Sequence, residues 1–112
     1  MIKVVIVRDS ESKVLSIRVT GHADSGPYGH DLVCAAVSAI ITGGANALVR
    51  GRKKKELPFD IVLKSGDSSI EPKSGYKVTD EEFIILETIV IQLKTIEESS
   101  PQLIKIEEKT KN

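Results

Sequence analysis

The most constraining feature of this sequence is the run from Leu32 to Val49, crowded with Ala35, Ala36, Val37, Ala39, Ile40, Ile41, Ala45, Ala47 and Leu48. Apolar residues fall on nearly every side of a 3.6-residue period, so the spacing predicts a long helix buried nearly all round. Asp31 stands where a helix N-cap belongs, which makes Leu32, Val33 and Cys34 the first three helical residues. Gly43 and Gly44 inside the run each cost roughly 1 kcal/mol relative to alanine and point to close approach of another backbone or to a local break. With 112 residues the chain reads as one domain, 1–112, large enough for a two-layer core.

The flanks supply the second layer. Ile2-Lys3-Val4-Val5-Ile6-Val7 is a β-branched run that predicts a central strand. Residues 8–13 turn the chain, and Leu15, Ile17 and Val19 then alternate with Ser16, Arg18 and Thr20, completing a hairpin with one wet face. Phe59, Ile61 and Leu63 alternate in the same way, Ser65-Gly66-Asp67-Ser68 turns, and a weaker strand around Ile70 is predicted to be an edge because Pro72 cannot donate to a ladder. Thr79-Asp80-Glu81-Glu82 is a capping box opening a second helix, whose Phe83, Leu86, Ile89, Val90, Leu93 and Ile96 form an apolar stripe. Ile84, Ile85 and Ile91 widen that stripe, as expected either of a subunit interface or of a helix buried on most sides. A last strand over Leu103–Ile106 precedes a charged tail. The order is β-β-α-β-β-α-β, an α+β fold with both helices on one face of the sheet.

Between the first hairpin and the first helix lies Gly21-His22-Ala23-Asp24-Ser25-Gly26-Pro27-Tyr28-Gly29-His30-Asp31-Leu32-Val33-Cys34. Cys34, the one cysteine of the chain, falls in the predicted first helical turn. Unpaired N–H groups and the positive end of the helix dipole favour an anion there and lower a thiol's pKa from its reference of ~8.5. Each unit of such a shift is worth about 1.4 kcal/mol, and the thiolate is the nucleophile. His22, at the end of the second strand, is placed to accept and return a proton; His30 precedes the cap and need not face the first turn. Ser38 shares a helix face with Cys34 and can reach the sulfur or substrate, or simply bond its own preceding turn. Residues 24–29 fit a lid closing over substrate equally with an ordinary strand-to-helix connection.

A lone cysteine is more often a small buried hydrophobe than a nucleophile, and it is the placement of Cys34 that favours catalysis. Zinc is disfavoured because one cysteine with scattered histidines does not match structural zinc spacing, and the loop lacks the lysine of a phosphate-binding P-loop. No metal and no cofactor are expected. Sixteen basic and sixteen acidic residues cancel, which argues against a dedicated nucleic-acid binder, although residues 1–56 carry +4 and residues 57–112 carry −4. Arg50, Arg52, Lys53, Lys54 and Lys55 form a basic run that reads as a solvated linker or as a contact for an acidic partner such as ribosomal RNA. One cysteine excludes an intrachain disulfide; no stretch reads as a membrane span or a signal peptide, and a cytoplasmic location is expected.

Gly21-His22-Ala23, Gly29, Asp31-Leu32-Val33-Cys34-Ala35-Ala36 and Ser38 together resemble the signature of the Prp-type ribosomal-processing cysteine proteases, and the likeness extends over essentially the whole chain. That resemblance implies removal of a short N-terminal extension from large-subunit ribosomal protein number twenty-seven, with cleavage after an aromatic pair, by homodimeric enzymes. By position it implies Cys34 as nucleophile and His22 as general base, with Gly21, Gly29, Asp31 and Ser38 shaping or supporting the site. Asp31 would first of all cap the helix, with orientation of His22 the lesser alternative, and backbone N–H groups at the helix start, that of Cys34 among them, would hold the oxyanion. Apolar surface from Tyr28, Val33 or the second helix would receive the aromatic pair. The alternative from another class is a non-catalytic ribosome-binding or assembly module.

Overall fold

The computed structural model describes residues 1–22 and 29–111, with the side chains of residues 29–31 outside that description. Five strands and two helices follow the expected order: β1 (Ile2–Arg8), β2 (Val14–Thr20), α1 (Gly29–Val49), a 3-10 turn at Lys54–Glu56, β3 (Phe59–Lys64), β4 (Asp67–Pro72), α2 (Asp80–Ser99) and β5 (Ile104–Thr110). They form one mixed sheet in the order β3-β4-β2-β1-β5. The β1–β2 hairpin is antiparallel, with Val4 opposite Val19 and Ile6 opposite Ile17. β5 returns through α2 to lie parallel to β1, with Ile2 opposite Ile104.

Alternation in the strands decides where the core lies. Ile2, Val4 and Ile6 of β1, Ile17 and Val19 of β2, Ile70 of β4 and Ile104 of β5 are buried in one cluster with residues of both helices, so both helices cover the same sheet face. Burying each such side chain contributes roughly 1.5–3 kcal/mol. α1 packs on α2 and β3, and α2 on β2 and β5.

Two strands depart from expectation. β4 is interior, paired with both β2 and β3, and β3 is the edge. Pro72 is tolerated because it is the last residue of its strand, opposite Phe59, where the ladder is ending. β5 also continues through Glu107–Thr110, which reads as tail by composition; Lys111 N–H donates to the Arg8 carbonyl at 2.8 Å and holds that end against β1. β1 lies inside the sheet as expected, paired with β2 on one side and β5 on the other.

The larger correction concerns α1. Only 28% of Leu32–Val49 is buried, along the stripe Val37, Ile41, Ala45 and Leu48. Leu32, Ala35, Ala39 and Ala47 are exposed. Alanine and glycine count as apolar yet have little surface to hide, so the larger side chains alone decide which face turns inward. Contrary to the sequence expectation, this helix is long and apolar enough by length and composition to cross a membrane; here its buried stripe is part of the domain's own core. The glycine pair leaves the helix continuous. A Cβ at Gly44 would overlap the Ile89 side chain of α2, so it is a side chain rather than another backbone that approaches, whereas Gly43 has nothing within 4 Å.

The capping box of α2 forms as read. Thr79 Oγ1 accepts from Glu82 N–H at 3.2 Å, and Thr79 N–H donates to Glu82 Oε1 at 2.9 Å. Tyr76 O–H donates to the same carboxylate at 2.8 Å, and this hydrogen bond raises the Tyr76 pKa above its ordinary value. Further along, Ile84 and Ile91 are 66% and 57% exposed, whereas Ile85 is half-buried against the core, so the widened stripe is only partly covered within the chain.

Candidate active site

β2 ends at Thr20, and the next residue, Gly21, has φ +85°, a conformation that L side chains rarely adopt. A Cβ there would collide with the Met1 carbonyl, so glycine lets the chain pass close to the start of β1. Gly21 N–H donates to the Gly66 carbonyl at 3.0 Å, tying the end of β2 to the β3–β4 turn. His22 follows, exposed, directly over that turn.

From the other side α1 contributes Cys34, half-buried and packed against the core cluster. His22 and Cys34 line one cleft of about 320 Å³, at the lower end of the size of small-ligand sites. Its apolar lining is Ile2, Val19, Val37 and Ile41, and its polar lining includes Ser38, Thr42, Lys64 and Asp67. Ser38 thus reaches the same cleft as Cys34, one helical turn further on. Leu63, 45% exposed at the end of β3, adds an apolar lip.

The remaining sequence-derived residues fall differently. Helix α1 begins at Gly29, so Asp31 lies within its first turn and is not the N-cap. Acidic residues suit the first turn nearly as well as the cap, which is why the sequence signal points three residues too late. Cys34 consequently lies five residues after the helix start, in the second turn. In an α-helix an N–H at that depth has its ladder acceptor four residues back, whereas the first few N–H groups have none within the helix. Val33 is half-buried against the core and is not part of the cleft lining. Tyr28 lies outside the described residues, as do the side chains of His30 and Asp31, and Gly29 is the first residue of α1.

Sequence reading missed the third wall. Ser65-Gly66-Asp67-Ser68 is legible as a turn, but its place beside His22 follows from β4 pairing with β2, with Asp67 opposite Thr20. The available signal was the glycine of that turn, which takes φ +75°.

A thiol and an imidazole from different elements lining one partly apolar cleft of an α+β fold are the groups that a thiol-dependent hydrolase needs. The family model described as cysteine protease Prp matches residues 1–105, and the chain belongs to that family of cysteine proteases. It is 36% identical over 106 residues to the ribosomal processing cysteine protease Prp of Staphylococcus aureus strain Mu50, covering 95% of this chain and 97% of that one. Two solved structures of the essential ribosomal processing protease Prp from S. aureus are also similar. One, in complex with a covalently linked product peptide, superposes with a TM-score of 0.80 at 36% identity over 97% of this chain and all of that one. The other, in complex with a substrate peptide, gives a TM-score of 0.80 at 35% identity over 97% of this chain and 100% of that one.

Proposed function

We propose that this protease removes the short N-terminal extension of large-subunit ribosomal protein number twenty-seven, cutting after an aromatic pair by acyl transfer through Cys34. The observation that carries the reading is the shared cleft of Cys34 and His22 in a chain so similar to a protease crystallised with substrate and product peptides. His22 takes the Cys34 proton as the sulfur attacks the scissile carbonyl, then delivers it to the leaving amine, leaving a thioester on Cys34. Water, deprotonated by the same imidazole, adds to the thioester; the carboxylate product leaves and the thiol re-forms. Unpaired N–H groups at the start of α1 stabilise the oxyanion, a role worth about 3 kcal/mol per donor where one has been removed. The apolar lining of the cleft receives an aromatic side chain, with Tyr28 as a flanking contact, while Gly29, Asp31 and Ser38 support the site.

The working form is proposed to be a cytoplasmic homodimer, as the exposure of Ile84 and Ile91 supports. Between them Thr88 folds its hydroxyl back onto the Ile84 carbonyl at 2.7 Å, and beyond them Thr95 does the same to the Ile91 carbonyl at 2.9 Å, which leaves an uncharged stripe. A second reading, a ribosome-binding module, is favoured only by the basic segment Arg50, Arg52, Lys53, Lys54 and Lys55, whose residues are all exposed and which would make a weak ribosomal RNA contact. Mass spectrometry of a synthetic peptide spanning the extension and mature start, incubated with wild type, Cys34→Ala and His22→Ala, separates the two. Cleavage at one bond by the wild type, and its loss in Cys34→Ala, is the expected result; an intact peptide in every arm would overturn the protease assignment.

A further inference from the structure

Glycine at position 66 is favoured on two counts. Its φ of +75° is one that L residues avoid, and the space a side chain would need is already taken by the imidazole: a Cβ added there would stand 2.6 Å from His22 Nε2, 3.1 Å from Cε1 and 3.4 Å from Cδ2. The distal edge of the ring therefore rests on the bare Cα of the β3–β4 turn. The same residue's carbonyl accepts the N–H of Gly21 at 3.0 Å, fixing the residue immediately before His22. Backbone and side chain of His22 are thus both referred to one point of the turn. Gly75 is the internal contrast: φ +83°, with nothing within 4 Å of an added Cβ.

We propose that Gly66 is a positioning residue for the general base, the β3–β4 turn holding the His22 imidazole where it can exchange a proton with Cys34. This rests on the reading of His22 as that base. A larger residue at position 66 pushes the ring off its seat, and a displacement of about 1 Å in a reacting group can cost as much as 10²-fold in rate. The other titratable groups lining the cleft are Lys64 and Asp67, from the same turn, and Cys34 itself.

The test compares Gly66→Ala and Gly66→Asn with Gly75→Ala and His22→Ala. Asn tolerates positive φ better than alanine while still carrying a Cβ, so it keeps the test alive if Gly66→Ala fails to fold. Two readouts are taken: steady-state cleavage of the extension peptide, and the pH profile of Cys34 alkylation by iodoacetamide. The expected result is a fall in kcat of about tenfold or more for the Gly66 variants with KM nearly unchanged, and an alkylation profile moved toward that of His22→Ala. Gly75→Ala, which carries the same backbone strain without the contact, is expected to keep both at wild type. Gly66 variants with wild-type kcat and profile beside an inactive His22→Ala would overturn the positioning role alone. A fully active His22→Ala would remove the base assignment and the proposal with it.

Discussion

In the proposed mechanism two side chains on unlike supports carry the chemistry. Cys34 is carried by a long helix whose stripe Val37, Ile41, Ala45 and Leu48 is buried in the core, and the cysteine packs half-buried against that cluster. His22 stands past the end of a strand, and its place depends on Gly21 and Gly66, two glycines at positive φ joined by one hydrogen bond. Loss of a positioned acid–base group typically costs 10²–10⁴-fold. His22→Ala is therefore expected to lower kcat/KM for the extension peptide by roughly that factor, while Cys34→Ala falls to background because no other nucleophile replaces the sulfur. Progress curves at matched enzyme concentration check this, and a His22→Ala protein within about fivefold of wild type would contradict it.

Among the elements, what was legible in the sequence was what local chemistry decides. The β1–β2 hairpin follows from period-two alternation, and the start of α2 follows from a capping box in which Thr79 and Glu82 satisfy each other's backbone N–H groups. What was not legible depends on partners distant in sequence. Nothing local says that β4 is interior, that β3 is the edge, or that the turn between them seats His22. The one-sided burial of α1 was hidden because its alanines look apolar although Val37, Ile41 and Leu48 do most of the packing. The glycine pair tests this description of α1. Gly43→Ala, in open space, is expected to stabilise the fold by about 1 kcal/mol through helix propensity. Gly44→Ala gains the same propensity but meets Ile89, itself 2% exposed and unable to swing away, so overpacking of about 1–3 kcal/mol cancels or outweighs the gain. Urea midpoints of the two variants should move apart; equal upward shifts would show that α1 and α2 are not in close contact at this position.

Across the whole molecule, the far end of the sheet is closed by an ion-pair network remote in sequence. Arg8 of β1 donates to both oxygens of Glu87 on α2, at 2.6 and 3.0 Å, and to Glu108 on β5 at 3.2 Å, while Lys94 reaches Glu108 at 2.9 Å. The Arg8 hydrogen bonds hold the Glu87 carboxyl below its ordinary 4.5, and Lys94 followed by Arg8 does the same for Glu108. A carboxylate whose folded pKa is depressed binds its proton more weakly when folded, so its contribution is complete above the unfolded value and lost as pH falls below it. Both carboxylates are more than a third exposed, and after solvent screening the network contributes about 1 kcal/mol. Unfolding stability is expected to decline from about pH 4.5 downward and to do so less steeply in Arg8→Met; parallel pH profiles for the two proteins would contradict the assignment.

The site, by contrast, stands or falls on a covalent bond at one sulfur. Acid-quenched intact-protein mass spectrometry, run during turnover of the extension peptide, reads that bond directly. The expected result is a transient wild-type species heavier by the N-terminal fragment less one water, mapped to Cys34 and missing from Cys34→Ala. Cleavage that proceeds without the adduct at any time point, or equally fast in Cys34→Ala, would contradict acyl transfer through this thiol.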